Sequence, residues 1–179
     1  MERTETEWEN RRQQVLHRIS SLPQKMLMCS EYENLAELVL HDLSHPQCFN
    51  LSKAAFFIDN PDFDCLQGVA GIATEEPGVH RANAWEEREQ FASQMRSSAF
   101  NTLVRSLTGP SMYRSGKHVD EEVAKFIRPL ALQKPVWRIF KTKHGNQGIF
   151  VFESPEVSHP LVQEDIALGA AFLGFCPIR

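Results

Sequence analysis

"LSKAAFFIDNPDFDCLQGVAGIA", residues 51–73, is the stretch from which the fold can be read. Two apolar runs, 51–59 and 66–73, flank Asn60-Pro61-Asp62, a turn signal that folds them into an antiparallel hairpin. The first run is apolar on both faces, Ala55 and Phe57 on one and Phe56 and Ile58 on the other. A strand with no polar face needs cover on both sides of its sheet. The spacing therefore predicts a sheet held between two layers.

The surrounding sequence supplies the layers. Upstream, 31–44 ("EYENLAELVLHDLS") has Leu35, Leu38 and Val39 at helical spacing and stops before Pro46. Residues 3–22 read as a further helix, ended by Pro23, with Trp8, Val15 and Leu22 seven apart and Leu16 and Ile19 widening the stripe. That period suits a helix lying along another helix. It serves equally for an amphipathic helix packed on its own domain. Arg11 and Arg18 at the remaining seam positions argue against a long coiled coil.

Downstream, 74–83 is a loop and 84–107 a long helix ended by Gly109-Pro110. "SMYRSG" (111–116) is a short strand candidate, 119–127 a short helix, and 134–143 a strand turning through "HGNQ" into the last strand, 148–153. A final helix rich in Ala and Gly closes the chain. Hairpins flanked by helices give an α+β class with a central antiparallel sheet and helices on both faces. We divide it into an N-terminal helical segment, 1–25, and one domain, 26–179.

Bulk properties narrow the function. A net charge of −4 over 179 residues gives nucleic-acid binding no support. Yet 105–147 holds nine basic residues against three acidic, while the rest holds ten against twenty. Such a segment either meets an anion or is spread over a solvated surface. The charged opening, "MERTETEWENRRQQ", is unlike a signal peptide, and no apolar run is long enough for a membrane helix. The expectation is a cytoplasmic protein. Its four cysteines, Cys29, Cys48, Cys65 and Cys176, are too dispersed for a zinc knuckle or a redox pair. His41 and His45 stand one helical turn apart, as paired metal ligands do, but no third ligand accompanies them, and no metal is expected.

Three stretches together resemble the GAF domain family. These are "ENLAELVLHDLSHPQCFNLSKAAFFIDNPDFDCLQGVAG" (33–71), "SLTGPSMYRSG" (106–116) and "GNQGIFVFESPEVSHPLVQEDIALGAAFLG" (145–174). The resemblance covers roughly 31–175, and within the family is strongest to bacterial proteins in which a helical segment precedes one such domain. It implies that the first and last helices pack side by side, with Gly169, Ala170, Ala171 and Gly174 admitting a close neighbour. It also implies a homodimer through that helical face, with Trp8, Val15 and Leu22 as candidates. A ligand pocket would lie between the sheet and 84–128, walled by Phe57, Tyr113, Arg114, Trp137 and the short helix 119–127, with Arg114, Lys117 and His118 as its polar groups. Arg114 and Lys117 would suit an anionic small molecule.

The function so implied is a non-catalytic regulatory module that binds a small molecule or an unidentified protein partner and signals through its terminal helices. A ligand-free GAF-fold scaffold is the alternative. The Gly-Val-Cys-Gly pattern of the methionine-sulfoxide-reducing branch is absent, as are the residue sets of cyclic-nucleotide and bilin binders. A thiol-dependent enzyme using Cys48 or Cys65 is a third reading. No cofactor is named by these residues.

Overall fold

The structure is a computed structural model and describes residues 5–79, 83–113, 118–154 and 160–177. Its strands are β1 (Lys53–Asn60), β2 (Cys65–Ala73), β3 (Thr108–Gly109), β4 (Val136–Lys141) and β5 (Gln147–Glu153). Its helices are α1 (Glu5–Met28), α2 (Leu35–Ser44), α3 (Arg88–Ser97), α4 (Ala99–Ser106), α5 (Val119–Phe126) and α6 (Pro160–Leu173). All strands are antiparallel, in the order β3-β2-β1-β5-β4. The chain is thus α+β, with helices on both sides of one sheet. Among the described residues no helix is long and apolar enough to cross a membrane.

The β1–β2 hairpin closes as its sequence predicts. Asn60 ends β1, and its side-chain oxygen accepts from the backbone N–H of Asp62 and Phe63, while Asp64 takes a left-handed conformation to re-enter β2. Opposite Phe56 and Phe57 the register jumps from Ala70 to Gly68, a bulge that leaves Val69 unpaired. Gly145, with φ +82°, makes the tight turn between β4 and β5.

Alternation along β1 divides the core in two. Phe56 and Ile58 join Phe150, Phe152 and Ile72 under α1, α2, α3 and α6. Phe57 and Ala55 join Ile149, Val151, Val104 and Val123 under α4 and α5. The first layer is thick because α2 is inside it: all ten of its residues are buried. It touches β1, β2, α1 and α6 together. A helix enclosed in this way must be apolar nearly all round, and "LAELVLHDLS" is, except for Glu37, His41, Asp42 and Ser44.

Three elements differ from the sequence expectation. The helix expected to end at Pro23 runs on to Met28 with Pro23 inside it. Proline removes one backbone hydrogen bond there, but Leu22 and Met26 on either side are buried in the common core and hold the helical path. The helix expected over 84–107 is two helices, broken at Ser98. Ser98 is extended (φ −64°, ψ 124°) and caps α4 by accepting from Asn101 N–H, which a serine does better than it continues a helix. The short strand expected at 111–116 also moves: β3 lies at Thr108–Gly109, and residues 114–116 are outside the described set.

Candidate functional site

A cleft of ≈ 820 Å³ opens where α2, β2, α3 and α4 meet, bordered by Glu33, Asn34 and Glu37, by Gln67, Gly68 and Val69, and by Arg96, Asn101 and Arg105. Its geometry begins with two glycines. A Cβ on Gly68 would stand 1.8 Å from the Val104 carbonyl oxygen, and one on Gly71 would stand 2.5 Å from a Val104 methyl. Without side chains at these positions α4 lies directly along β2. There it takes up amides of the strand edge: Gly71 N–H donates to Asn101 Oδ1 at 2.8 Å, and Gly68 N–H to the Leu107 carbonyl at 2.9 Å. Asn101 also donates through Nδ2 to the Met95 carbonyl at 2.9 Å, so its amide locks α3, α4 and β2 together.

The same approach carries Arg105 across to α2, where its Nη1 stands 3.3 Å from Glu37 Oε1. The pair is unequal: the arginine side chain is 58% exposed and the glutamate 4%. Burial pushes the Glu37 carboxyl above the ordinary range, and its own backbone N–H, Arg105 and Asn101 only partly offset that. One turn earlier Asn34 begins α2 without capping it, and its Nδ2 is buried with no acceptor. The floor of the cleft therefore holds an under-neutralised carboxylate and an idle donor.

At the other end of α2, Asp42 is bound by two cations from α1, Arg18 Nη2 at 2.8 Å and Lys25 Nζ at 2.6 Å. Burial would raise this carboxyl, but His41, Lys25 and Arg18 together outweigh it and hold it well below the usual carboxylate range. Arg12 of α1 reaches α6 through Asp165, at 3.0 and 3.2 Å. One buried helix thus joins the cleft to the N-terminal helix.

The residues expected to wall a pocket fall differently. Phe57 is fully buried, with the Phe126 ring edge-on against it at 5.3 Å. Trp137 is half-buried, packs on the same core and donates its indole N–H to Asp120 at 2.9 Å. Tyr113 is 37% exposed. Burial, then Asp59 and Asp120, raise its hydroxyl above the ordinary range. His118 is exposed, just before α5, and Arg114 and Lys117 lie outside the described residues. The structure brings Tyr113, Asp120 and Trp137 together with the buried Asp59, which accepts from Met112 N–H at 2.8 Å. The described charges in that grouping are acidic.

The basic segment does not gather on one edge. Arg105 lies on α4 beside β2, whereas Arg138 and Lys141 lie on β4 at the opposite edge of the sheet. The helix-packing residues are used within the chain. Val15 and Leu22, with Ile19 and Met26, are buried in the core shared with β1 and α6, and Trp8 packs against it. A Cβ on Gly169 would meet Phe49 at 2.8 Å and Leu43 at 2.9 Å, and one on Gly174 the Lys141 carbonyl at 3.3 Å. Ala170 is buried. The small residues of α6 admit a side chain from α2 and the loop after it.

Cys48 and Cys176 are buried, and burial pushes both thiols up to about 12. Cys65 is half-buried on the wall of the cleft. His41 is buried with neither ring nitrogen in a hydrogen bond; its Nδ1 stands 3.8 Å from Asp42 Oδ1, and its ring is 6.4 Å from His45. Among the described residues no group of three or more His, Cys, Asp or Glu could hold a metal ion.

Sequence reasoning passed over Glu37 and Asn101, and took Arg105 only as one of the nine basic residues of 105–147. Glu37 carried one available signal, a carboxylate in the apolar first half of α2, between Ala36 and Leu38. No protein-family model matches the chain, and no curated protein sequence is significantly similar to it.

Proposed function

We propose that this chain is a non-catalytic, GAF-like regulatory module that binds a small molecule and signals through its terminal helices to a second protein or a second copy. One observation carries the reading. The buried helix α2 has Glu37 in the ≈ 820 Å³ cleft and, little more than a turn later, Asp42 under Arg18 and Lys25 of α1. A ligand that draws on Glu37 acts on the helix that holds α1. It shifts α1 only to the extent that it binds one arrangement of α2 better than another.

Native mass spectrometry with hydrogen exchange tests this. The expected result is a retained small molecule, lost when Thr102→Trp fills the cleft, together with slower amide exchange in α1 when the ligand is bound. An empty cleft, with α1 exchange identical in the wild type and Glu37→Gln, would overturn it.

The ligand-free scaffold is favoured by a different observation, that Phe57 and Phe126 fill the core beneath α5. An empty dimer in the same experiment would select it.

A further inference from the structure

The cleft has features that specify a ligand chemistry. Glu37 is 3% exposed, and its cationic partner, Arg105, is mostly in water. A guanidinium solvated to that degree returns little of what a buried carboxylate loses on leaving water. A second cation placed inside the cleft would complete the pair where the dielectric is low. One turn before Glu37, the Asn34 Nδ2 donor is buried without an acceptor. Such a donor costs free energy until an oxygen reaches it. Ile58, Val69, Ala92 and Met95 line the same space with apolar surface. Arg96 lines it as well, and among the described residues has no ion-pair partner.

A molecule that answers all of these groups has an ammonium next to a carbonyl or carboxylate oxygen, and apolar bulk. Resting on the reading of this cleft as the ligand site, we propose that it binds the α-ammonium end of a free amino acid or of a short peptide. The ammonium bonds to Glu37, the neighbouring oxygen takes the Asn34 Nδ2 donor, the side chain lies on Val69 and Met95, and the carboxylate turns to Arg105 or Arg96. An ammonium supplies three donors to the Glu37 carboxylate, which arginine reaches only from outside. The volume of the cleft exceeds that of a single amino acid, so two sources of the same chemistry, free amino acids and di- or tripeptides, belong in the test.

The experiment is a thermal-shift screen of the full chain against the individual L-amino acids and a set of dipeptides, followed by calorimetry on those that stabilise it. Each binder is then compared with its N-acetyl and carboxamide forms. The expected result is binding that falls by about tenfold or more on N-acetylation, because a buried partner is then left unpaired. The carboxamide of a free amino acid should lose less if Asn34 reads the carbonyl oxygen. Stronger binding by dipeptides assigns the peptide source, and stronger binding by single amino acids the other.

Glu37→Gln should abolish the preference for the free ammonium while leaving the chain as stable as before, since it removes a buried charge. Should that variant fail to fold, Arg105→Met, on the exposed side of the pair, provides the second probe and should weaken carboxylate-bearing ligands selectively. No binding below about 10 mM by any amino acid or dipeptide, or equal binding of N-acetyl forms, would overturn the proposal. If a different molecule is then found in the cleft by native mass spectrometry, the ligand class alone has failed and the regulatory reading stands.

Discussion

Four carboxylates are buried among the described residues; Asp165 is held by Arg12 at two points, and the other three are each accommodated differently. Asp59 accepts one backbone N–H, from Met112, and its other oxygen has no partner. Glu37 has one solvated arginine. Asp42 has two cations, whose side chains are 21% and 33% exposed. Removing the charge of Asp42 leaves those cations partly able to rehydrate, so Asp42→Asn should cost about 2–3 kcal/mol, below the range for a fully buried pair. Urea unfolding at neutral pH measures it.

The pH dependence of this site has a definite sign. The folded-state value lies below the ordinary ~3.9 of aspartate. Its stabilisation is complete above that ordinary value and is lost as pH falls through the folded-state one. The gap between wild type and Asp42→Asn should therefore shrink in acid. Glu37 has the opposite sign: its raised value makes the ionised carboxylate a cost that grows as pH rises. Cysteine reactivity is also a matter of single residues. Cys48 and Cys176, buried and pushed up to about 12, should resist iodoacetamide in the native protein at neutral pH, while Cys65 on the cleft wall reacts first. Mass spectrometry of the labelled chain reads this directly, and rapid labelling of Cys48 would contradict its burial.

Among the elements, the contact between β2 and α4 is the least forgiving. The Cβ of an alanine at position 68 would stand 1.8 Å from a backbone oxygen, so no side-chain rotation relieves it. Gly68→Ala should destabilise the chain by about 3 kcal/mol and loosen the α4 edge on which the cleft depends. At Gly169 the atoms in the way are the Phe49 ring edge and a Leu43 methyl, which can move. Alanine there gains up to about 1 kcal/mol in helix propensity, so Gly169→Ala should be far milder. Equal melting temperatures for Gly68→Ala and the wild type would show that α4 is free to move away from the strand. The break at Ser98 belongs to the same design, since it turns α4 so that Asn101 meets the strand edge while α3 continues over α2.

At the scale of the whole molecule, α1 is part of the core. Val15, Ile19, Leu22 and Met26 are buried in the cluster that includes β1, β5 and α6. Burying four such side chains is worth about 6–12 kcal/mol, comparable with the whole stability of an ordinary domain, about 5–15 kcal/mol. A chain lacking residues 5–28 should therefore lose cooperative thermal unfolding by circular dichroism. A sharp transition in that truncated chain would show that 29–179 folds without α1. Under the proposed function, control of α1 by a ligand would take the form of small shifts against α2 and α6, since full release of the helix would unfold the protein.

Local patterns in the sequence determined the hairpin, the two-sided sheet, the α+β class and most helices, because a turn signal and a period of apolar residues depend only on near neighbours. They also marked the small residues of α6 as a close-packing surface. They left open what packs there, because the same stripe serves a second chain or the chain's own core. Only the tertiary structure decided that Phe49 and Leu43 fill that space. It also carried α1 through Pro23, since burial on both sides outweighs one lost hydrogen bond. The cleft was the least legible feature. Glu37 and Arg105 are 68 residues apart in the chain and meet because two glycines let α4 lie on β2. No local period records that approach, because it depends on how closely two distant backbones pack.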